Sequence, residues 1–306
     1  MQNCVNSKDI LVDNVQNNAS SLDTSRRNKN LSSARDMSKK FKNRKESSAI
    51  PSGFSSLDKI IKGFKKSNFV VIGSRPSVGK TSFVLNIASN LCQQNRRVGF
   101  FTLEVSDYSL FTSLVAINSG VEYDKLEDKS LMDENERQKC VKACSKLENF
   151  SFYIENTHNI QIHQLKAEAR KMKKDYGVEI IFIDYISLIS VEHNNTPRYE
   201  QVAFLSRNIR ALANELEIPI IVLSQLNREA EGKAPNLTNL RESGSLEQDA
   251  DIVIFLHREY EEQQEDNDEE VRKVKVIVAK NRHGAIGIAT IGFEPKYTKF
   301  MDVGVG

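Results

Sequence analysis

Long apolar runs are missing from this 306-residue sequence, and cysteine is scarce. No run approaches the roughly 18–20 apolar residues that cross a bilayer, and residues 1–15 lack the uninterrupted apolar segment of a secretory signal. Four cysteines are too few to form a disulfide framework in a chain of this length. The sequence therefore predicts a soluble, cytoplasmic protein with reduced thiols and no membrane partner.

Two of the cysteines, Cys140 and Cys144, are spaced by one helical turn. A metal site needs further ligands at a matching spacing, and no second ligand pair in the sequence completes one. We therefore expect buried or half-buried thiols that behave as small apolar residues.

A strong net charge is also lacking, but the near-neutral total hides an uneven distribution. The chain has 43 Lys and Arg against 41 Asp and Glu, which gives a formal net charge of +2. Residues 1–48 carry +5, whereas residues 259–270 carry −8 and contain no basic side chain. The rest of the chain therefore carries +5. We expect the acidic run 259–270 to be a mobile loop between two strands.

The first 48 residues differ in composition from the rest. They are rich in Asn, Ser, Lys and Arg, nearly free of aromatic residues, and show no sustained periodicity. Such a segment cannot bury enough apolar surface to offset the entropy lost on ordering. We predict a disordered or weakly helical basic tail over 1–48 and one domain over 49–306. Its basic part, residues 26–45, is either a solvated leader or a contact for nucleic acid or a partner.

From Ile50 onward, short apolar runs alternate with longer segments of helical period. The runs lie at 68–74, 97–105, 152–156, 179–186 and 218–226, and the helical segments at 81–91, 108–119, 160–176 and 198–216. Such alternation predicts an α/β fold with a parallel sheet covered on both faces. Three further runs, at 251–258, 274–281 and 286–295, follow without a helix. They predict strands that complete the sheet as hairpins, with Gly284 and Gly287 in turns.

The strongest chemical signal is a phosphate-binding loop of the G-x4-G-K-[ST] type. It follows an apolar strand and precedes a periodic helix, which is the context that this motif requires. The backbone N–H groups of the loop wrap nucleotide phosphates, the lysine reaches the β- and γ-phosphates, and the threonine hydroxyl binds Mg²⁺. We therefore predict ATP and Mg²⁺ as cofactors. The predicted nucleotide-binding residues are Gly73, Ser74, Arg75, Pro76, Ser77, Val78, Gly79, Lys80, Thr81 and Ser82.

Two carboxylates are candidates for the rest of a hydrolytic site. Asp184 ends an apolar strand about a hundred residues after the loop, where it would hold Mg²⁺ together with Thr81. Glu104 follows the strand Arg97–Leu103, which we expect to neighbour the strand before the loop. From position alone, Glu104 is either the group that activates the attacking water or a surface carboxylate before a turn.

Six segments taken together resemble the C-terminal motor domain of the DnaB-type replicative DNA helicases. The resemblance runs from about Ile50 to Asp302, and the twelve-residue block at 240–251 is its most specific part. The segments are the loop 73–81, Leu103-Glu104, Asp184-Tyr185, Ser224–Arg228, Leu240–Asp251 and Lys280–Gly284. The resemblance implies a RecA-like core in a homohexameric ring. Such a ring encircles single-stranded DNA and moves 5′ to 3′ as it hydrolyses ATP in DNA replication.

The resemblance also implies a role for individual residues. Glu104 would be the water-activating carboxylate, and Gln225 a sensor at the end of its strand. Lys280 and Arg282 would reach the nucleotide of the next subunit as arginine-finger elements. The remaining implied contacts are with the backbone of single-stranded DNA, which suits a motor that must pass over any base sequence. The residues implied for DNA are Arg241, Glu242 and Gly244.

The sequence departs from the family pattern in two places. The family carries a helical N-terminal collar domain that engages primase, and this chain has 48 polar residues there. We therefore expect no collar, and contact with primase or a helicase loader stays open. Ser187 stands where the family has an amide side chain.

Two alternative functions also remain: a RecA-like repair ATPase that forms filaments, and a non-motor accessory that docks on a host helicase ring.

Overall fold

The structure is a computed structural model, and it describes residues 33–42, 49–191, 196–227, 233–240, 244–258 and 271–303. The chain divides into two units, residues 1–47 and 48–306. In the described part of the first unit, Ala34–Lys42 forms a helix, α1. This helix lies inside the segment that the sequence predicts to be a tail.

A nine-stranded sheet forms the centre of the second unit. The strands are β1 Phe69–Ser74, β2 Val98–Thr102, β3 Phe152–Glu155, β4 Ile180–Asp184, β5 Ile220–Gln225, β6 Ile252–His257, β7 Arg272–Asn281, β8 Gly287–Glu294 and β9 Lys299–Asp302. Their order across the sheet is β3-β2-β4-β5-β1-β6-β7-β8-β9. The strands from β3 to β6 pair in parallel, whereas β7, β8 and β9 pair antiparallel. The predicted mostly parallel sheet with late hairpins is confirmed, but Gly287, which the sequence predicts to lie in a turn, begins β8.

The helices of this unit follow the strands as the periodicity predicts, with four additions. They are α2 Ser55–Ile61, α3 Lys80–Gln93, α4 Asp107–Ser119, α5 Tyr123–Glu127, α6 Glu134–Leu147, α7 Ile162–Asp175, α8 Arg198–Leu216 and α9 Gly244–Asp249. Short 3₁₀ turns lie at Lys129–Leu131, Ile186–Leu188, Leu237–Asn239 and Pro295–Tyr297. The apolar pattern of the sequence does not predict α2, α5, α6, α9 or β9.

Two apolar layers cover the sheet, and they explain the continuous apolar runs of its central strands. Every residue of β1 is buried. Val70 and Ile72 belong to one buried cluster, whereas Phe69 and Val71 belong to the other. This alternation arises because successive side chains of a strand point to opposite faces. Helix α3 packs on the first face, and α8 packs on the second.

One expected neighbour relation is wrong. The sequence predicts that the strand before Glu104 lies beside β1, but β2 pairs with β3 and β4. Strands β4 and β5 lie between β2 and β1. The order of strands is set by the paths of the connecting helices over the two faces, and short apolar runs carry no information about it.

Candidate functional site

The phosphate-binding loop connects β1 to α3, as its sequence context predicts. Gly79 precedes α3 with a left-handed backbone at φ 94°. A Cβ atom at Gly79 would lie 3.1 Å from the ring of Phe293. Both the backbone angle and the close ring therefore require glycine here. Ser77 also has a positive φ, 64°, so the loop turns sharply twice before the helix starts.

The first turn of α3 points unpaired N–H groups at the loop. The earliest bond of the turn is donated by the Phe83 N–H to the Gly79 carbonyl, at 2.8 Å. The N–H groups before Phe83 in this turn have no carbonyl acceptor within the helix, as at any helix start. Together with the helix dipole they form a site for an anion such as a phosphate.

Asp184 and Thr81 form the side of the site that fits a hard cation. The Thr81 hydroxyl donates to Asp184 Oδ2 at 2.6 Å. Asp184 is buried at the end of β4, and its Oδ1 has no hydrogen-bond partner among the residues that the structure describes. Burial raises the pKa of Asp184, while the charge of Lys80 and the Thr81 hydrogen bond oppose the rise. A buried carboxylate oxygen that still lacks a donor beside a hydroxyl is a donor set that Mg²⁺ with its bound water can complete.

Lys80 lies among the acidic groups of the site. Burial lowers its pKa, and the negative charges of Asp184 and Glu104 oppose this shift. The ammonium nitrogen also lies over the ring of Tyr185, 4.9 Å from its centre. Such a contact holds a cation by the negative face of the ring. Lys80 therefore lies over one aromatic ring and within the charge field of two carboxylates.

Glu104 lies just beyond β2 and is exposed to solvent. Its charge acts on the pKa of both Lys80 and Asp184, so its carboxylate belongs to the same cluster. The cluster forms although β2 does not neighbour β1, because the carboxyl ends of parallel strands meet at one edge of the sheet. The structure thus brings together the four residues Lys80, Thr81, Glu104 and Asp184.

Gln225 ends β5 at the same edge. It pairs in register with Ser74 of the loop, and its side chain is exposed. Arg75 of the loop donates to the Asn227 carbonyl at 3.4 Å, which ties the loop to the chain after β5. A change in the conformation of the loop would therefore reach the side chain of Gln225.

A cavity of about 470 Å³ opens beside the start of α3. Its lining is mostly small hydroxyl and apolar side chains from α3, α4, α5 and the turn before β9. Thr81, Ser82, Ser109, Ser113, Tyr123 and Thr298 are among the residues that line it. Its position next to the phosphate loop gives it the location expected for the nucleoside part of a nucleotide.

Lys280 and Arg282 lie away from this cluster, at the carboxyl end of α9. The Lys280 ammonium donates to the Glu247 carbonyl at 2.5 Å, and Arg282 donates to the Gln248 carbonyl at 2.6 Å. Lys280 pairs in register with Val253 of β6, which lies beside the middle of β1. The basic pair is therefore displaced from the carboxyl edge of the sheet where its own phosphate loop lies.

Of the three residues implied for DNA contact, the structure describes one. Gly244 is exposed and begins α9, and a Cβ added there would meet no atom within 4 Å. Arg241 and Glu242 lie outside the described residues, as does the acidic run 259–270.

Sequence reasoning missed three side chains that organise these sites. Tyr185 contacts Lys80, while Asp251 and Arg210 support the end of α9. Tyr185 directly follows Asp184, so adjacency in sequence was an available signal. No pattern in the sequence links Arg210 of α8 to Asp251, because the contact depends on how α8 packs over α9.

Among the described residues no helix is long and apolar enough to cross a bilayer, and no group of His, Cys, Asp and Glu could hold a metal ion by itself. Cys92, Cys140 and Cys144 are free thiols, as the sequence predicts. Cys92 is buried, and burial raises its pKa to about 12.

The family model for the DnaB-like helicase C-terminal domain matches residues 49–302. The replicative DNA helicase DnaB of Treponema pallidum is 38% identical over 263 residues, which cover 86% of this chain and 58% of that protein. The probable plasmid replicative DNA helicase of Chlamydia trachomatis is 37% identical over 261 residues, which cover 83% of this chain and 55% of that protein. The chain thus spans less than two thirds of the length of these relatives.

Two solved structures extend the similarity to three dimensions. One of them, an ATPase domain, matches with a TM-score of 0.80 and 30% identity, covering 88% of this chain and 96% of that one. A DnaB-like replicative helicase, described with its interactions with primase, matches with a TM-score of 0.79 and 30% identity. That match covers 88% of this chain and 65% of the other.

Proposed function

This chain belongs to the DnaB-like helicase C-terminal domain family, and we propose that it is the ATP-driven motor of a replicative DNA helicase. The observation that carries the proposal is the cluster of Lys80, Thr81, Glu104 and Asp184 at one edge of the parallel sheet. An exposed carboxylate whose charge acts on both Lys80 and Asp184 supports hydrolysis in addition to nucleotide binding.

In this proposal the loop and α3 bind the phosphates of ATP. The N–H groups of residues 77–82 donate to phosphate oxygens, and Lys80 exchanges its contact with Tyr185 for the β- and γ-phosphates. Thr81 and Asp184 would hold Mg²⁺, which neutralises charge on the phosphates when bound. The cavity at Ser109 and Tyr123 would take the nucleoside.

Glu104 is the residue that we propose to orient and deprotonate the attacking water. Its carboxylate is exposed to solvent, and its negative charge acts on Lys80 of the phosphate loop. A positioned carboxylate contributes to hydrolysis by accepting a proton as the water attacks. Gln225, at the end of β5, would sense the presence of the γ-phosphate through its neighbour Ser74.

We propose that hydrolysis is completed between subunits. Lys280 and Val253 lie opposite Val71, and Val71 is three residues from Ser74 along β1. At about 3.3 Å per residue the basic pair is therefore set back by about 10 Å along the strand from its own loop. This distance supports a role for Lys280 and Arg282 at the nucleotide of an adjacent copy, in a ring in which each site needs a neighbour.

The rest of the motor follows from the family. We propose a homohexameric ring on single-stranded DNA, with residues 241–244 following the strand and movement from 5′ to 3′. The sequence leaves contact with a primase or a helicase loader open for this chain, and a pull-down with either protein tests it.

The test is ATP hydrolysis by the purified chain with and without single-stranded DNA, combined with strand displacement on forked DNA. We expect DNA to stimulate hydrolysis and a 5′ tail to be required for displacement. Lys80→Ala should lose nucleotide binding, because the cation for the phosphates is gone. Glu104→Gln should bind nucleotide and lose at least about a hundredfold in turnover, the scale of general base catalysis.

A matched control for Glu104→Gln is Glu148→Gln, which makes the same change at an exposed position just after α6, outside the cluster. This control should retain turnover. Full activity in both Lys80→Ala and Glu104→Gln would contradict the proposal. Open filaments on DNA seen by electron microscopy would favour the repair ATPase, and hydrolysis without strand displacement would favour the accessory protein.

A further inference from the structure

The carboxyl end of α9 binds both cations of the basic pair in their own chain. Lys280 donates to the carbonyls of Glu247 and Gln248, at 2.5 and 3.2 Å. Arg282 donates to the Gln248 carbonyl, and another of its nitrogens lies 3.6 Å from Asp251 Oδ1. The last carbonyls of a helix carry partial negative charge, so they are a natural partner for cations.

The place where Lys280 and Arg282 bind, here called the docking position, is fixed to the core at Asp251. The Asp251 Oδ2 accepts from the Phe69 N–H at 3.0 Å, and the Asp251 N–H donates to the Phe69 carbonyl at 2.8 Å. The Arg282 N–H also donates to the Asp251 carbonyl at 2.8 Å. Asp251 thus holds Arg282 at the start of β1, through its backbone as well as its carboxylate.

The upper part of the docking position is α9 itself, which is short. Arg210 of α8 donates to the Asp249 carbonyl, and it lies 3.8 Å from Asp251 Oδ1. Six residues of helix are about 9 Å long, so the ends of α9 are close together. Its first residue is Gly244, the predicted DNA contact. A shift of Gly244 therefore also moves the carbonyls that bind Lys280 and Arg282.

The two cations also repel each other. Burial lowers the pKa of Lys280, and the positive charges of Arg282 and Arg210 lower it further, against Asp251 and Glu247. Three cations thus share the negative charges of Asp251 and Glu247 and a set of carbonyls. A phosphate group carries more negative charge than these carbonyls and is a competing partner for the pair.

From these contacts we infer that the end of α9 and Asp251 form a docking site that withholds Lys280 and Arg282 from the neighbouring nucleotide until DNA shifts α9. Asp251 is the positioning residue of this site, and the inference rests on the proposed function. Because coupling between two sites is reciprocal, ATP in the neighbouring subunit also strengthens the contact of α9 with DNA. DNA-stimulated hydrolysis then originates in a competition for one pair of cations.

The variant Asp251→Asn tests the inference. It removes the charge that holds Arg282, and the amide oxygen still accepts from the Phe69 N–H. We expect hydrolysis without DNA to rise at least about fivefold, the lower end of usual coupling strengths. The rate with saturating single-stranded DNA and the KM for ATP should stay near those of the unchanged protein. The stimulation ratio therefore falls.

The matched control is Asp58→Asn, which removes the same charge from another carboxylate that accepts a backbone N–H, outside the docking site. Asp58 Oδ1 accepts from the Ser52 N–H at 2.8 Å, and an amide oxygen preserves this bond. This control should keep the original stimulation ratio. The inference is overturned if Asp251→Asn keeps the original stimulation ratio, or if it loses hydrolysis rate equally with and without DNA. In either case, DNA-stimulated hydrolysis by the unchanged protein leaves the proposed function standing. Absence of stimulation in the unchanged protein contradicts the proposed function itself.

A second measurement needs no variant and so does not depend on the folding of Asp251→Asn. Acetylation of lysines in the unchanged protein is followed by mass spectrometry with Mg²⁺ and ADP, which lacks the competing γ-phosphate. Single-stranded DNA should increase the reactivity of Lys280 at least about twofold, while exposed Lys273 on the same strand stays constant. Equal Lys280 reactivity with and without DNA overturns the inference.

Discussion

At the scale of the residue, the candidate site depends on a buried carboxylate, Asp184. Asp184 is buried with one oxygen bonded to Thr81 and the other without a donor among the described residues. Such a group costs free energy until a ligand completes its shell. A ligand that completes the shell of this oxygen is therefore favoured at the site.

Gly79 offers a test at this scale. Gly79→Ala places a Cβ in a left-handed backbone and 3.1 Å from Phe293, so we expect a loss of about 1–3 kcal/mol in the free energy of unfolding. The affinity for nucleotide should also fall, because the loop must shift. Denaturant unfolding and titration with a fluorescent ATP analogue measure the two effects.

Gly120→Ala is the matched control, because Gly120 is also left-handed, at φ 65°, but a Cβ there meets no atom within 4 Å. It should show the backbone strain alone, about 1 kcal/mol, and bind nucleotide normally. If Gly79→Ala binds nucleotide as tightly as Gly120→Ala does, the close packing of the loop is irrelevant to its function.

At the scale of the element, β9 stabilises the start of α2 from the far end of the sequence. Asp302 accepts from the Ser55 N–H at 2.7 Å and from the Ser56 hydroxyl at 2.8 Å. Helix α2 has no side-chain cap from its own N-cap residue, Phe54. A carboxylate from a distant strand therefore takes the place of a local cap.

We expect Asp302→Ala to lower the free energy of unfolding by about 1 kcal/mol at pH 7, as loss of a helix cap does. Burial raises the pKa of Asp302, but the bonds from Ser55 and Ser56 outweigh it, so the pKa lies below its usual value. The stabilisation is thus present above the unfolded pKa of about 4 and is lost as pH falls through the lower folded value. Unfolding at pH 7 and at pH 3 measures the change, and a cost that persists undiminished at pH 3 would mean that charge plays no part.

Elements with strong apolar periodicity could be predicted, and polar ones could not. The segment 198–216 matches α8 because Val202, Leu205, Ile209 and Leu212 all bury one face. Helix α6 buries only Ala143 and Leu147, so its sequence shows no such stripe. Its start does carry a signal, the reciprocal capping box between Asp133 and Glu136, which residue pattern alone could have revealed.

In the candidate site, too, some features could be predicted from the sequence and others could not. The loop and Asp184 could be located from motif and strand position, because local sequence determines both. The contacts of Lys280, Arg282 and Asp251 could not, because they join residues that are 33, 34 and 182 positions apart in the chain. The resemblance to the helicases indicated a role for Lys280 and Arg282, but it did not indicate that they contact α9 and Asp251 in this chain.

At the scale of the whole molecule, the cations that we propose to bind phosphate lie in two separate regions. The cations assigned to phosphate occupy two places: Lys80 at the carboxyl edge of the sheet, and Lys280 with Arg282 at α9. On the proposed function, such a chain holds half of a hydrolytic site at each place, and two copies must meet to form one complete site. Hydrolysis then depends on assembly.

The most direct test of this account mixes two inactive variants, Glu104→Gln and Arg282→Ala, and measures DNA-stimulated ATP hydrolysis. In a mixed ring, some sites receive Glu104 from one variant and Arg282 from the other. At equal amounts with random assembly, up to about a quarter of the sites are complete. We expect hydrolysis to recover on mixing, although each variant alone is inactive. No recovery from mixtures that are shown to co-assemble would contradict it.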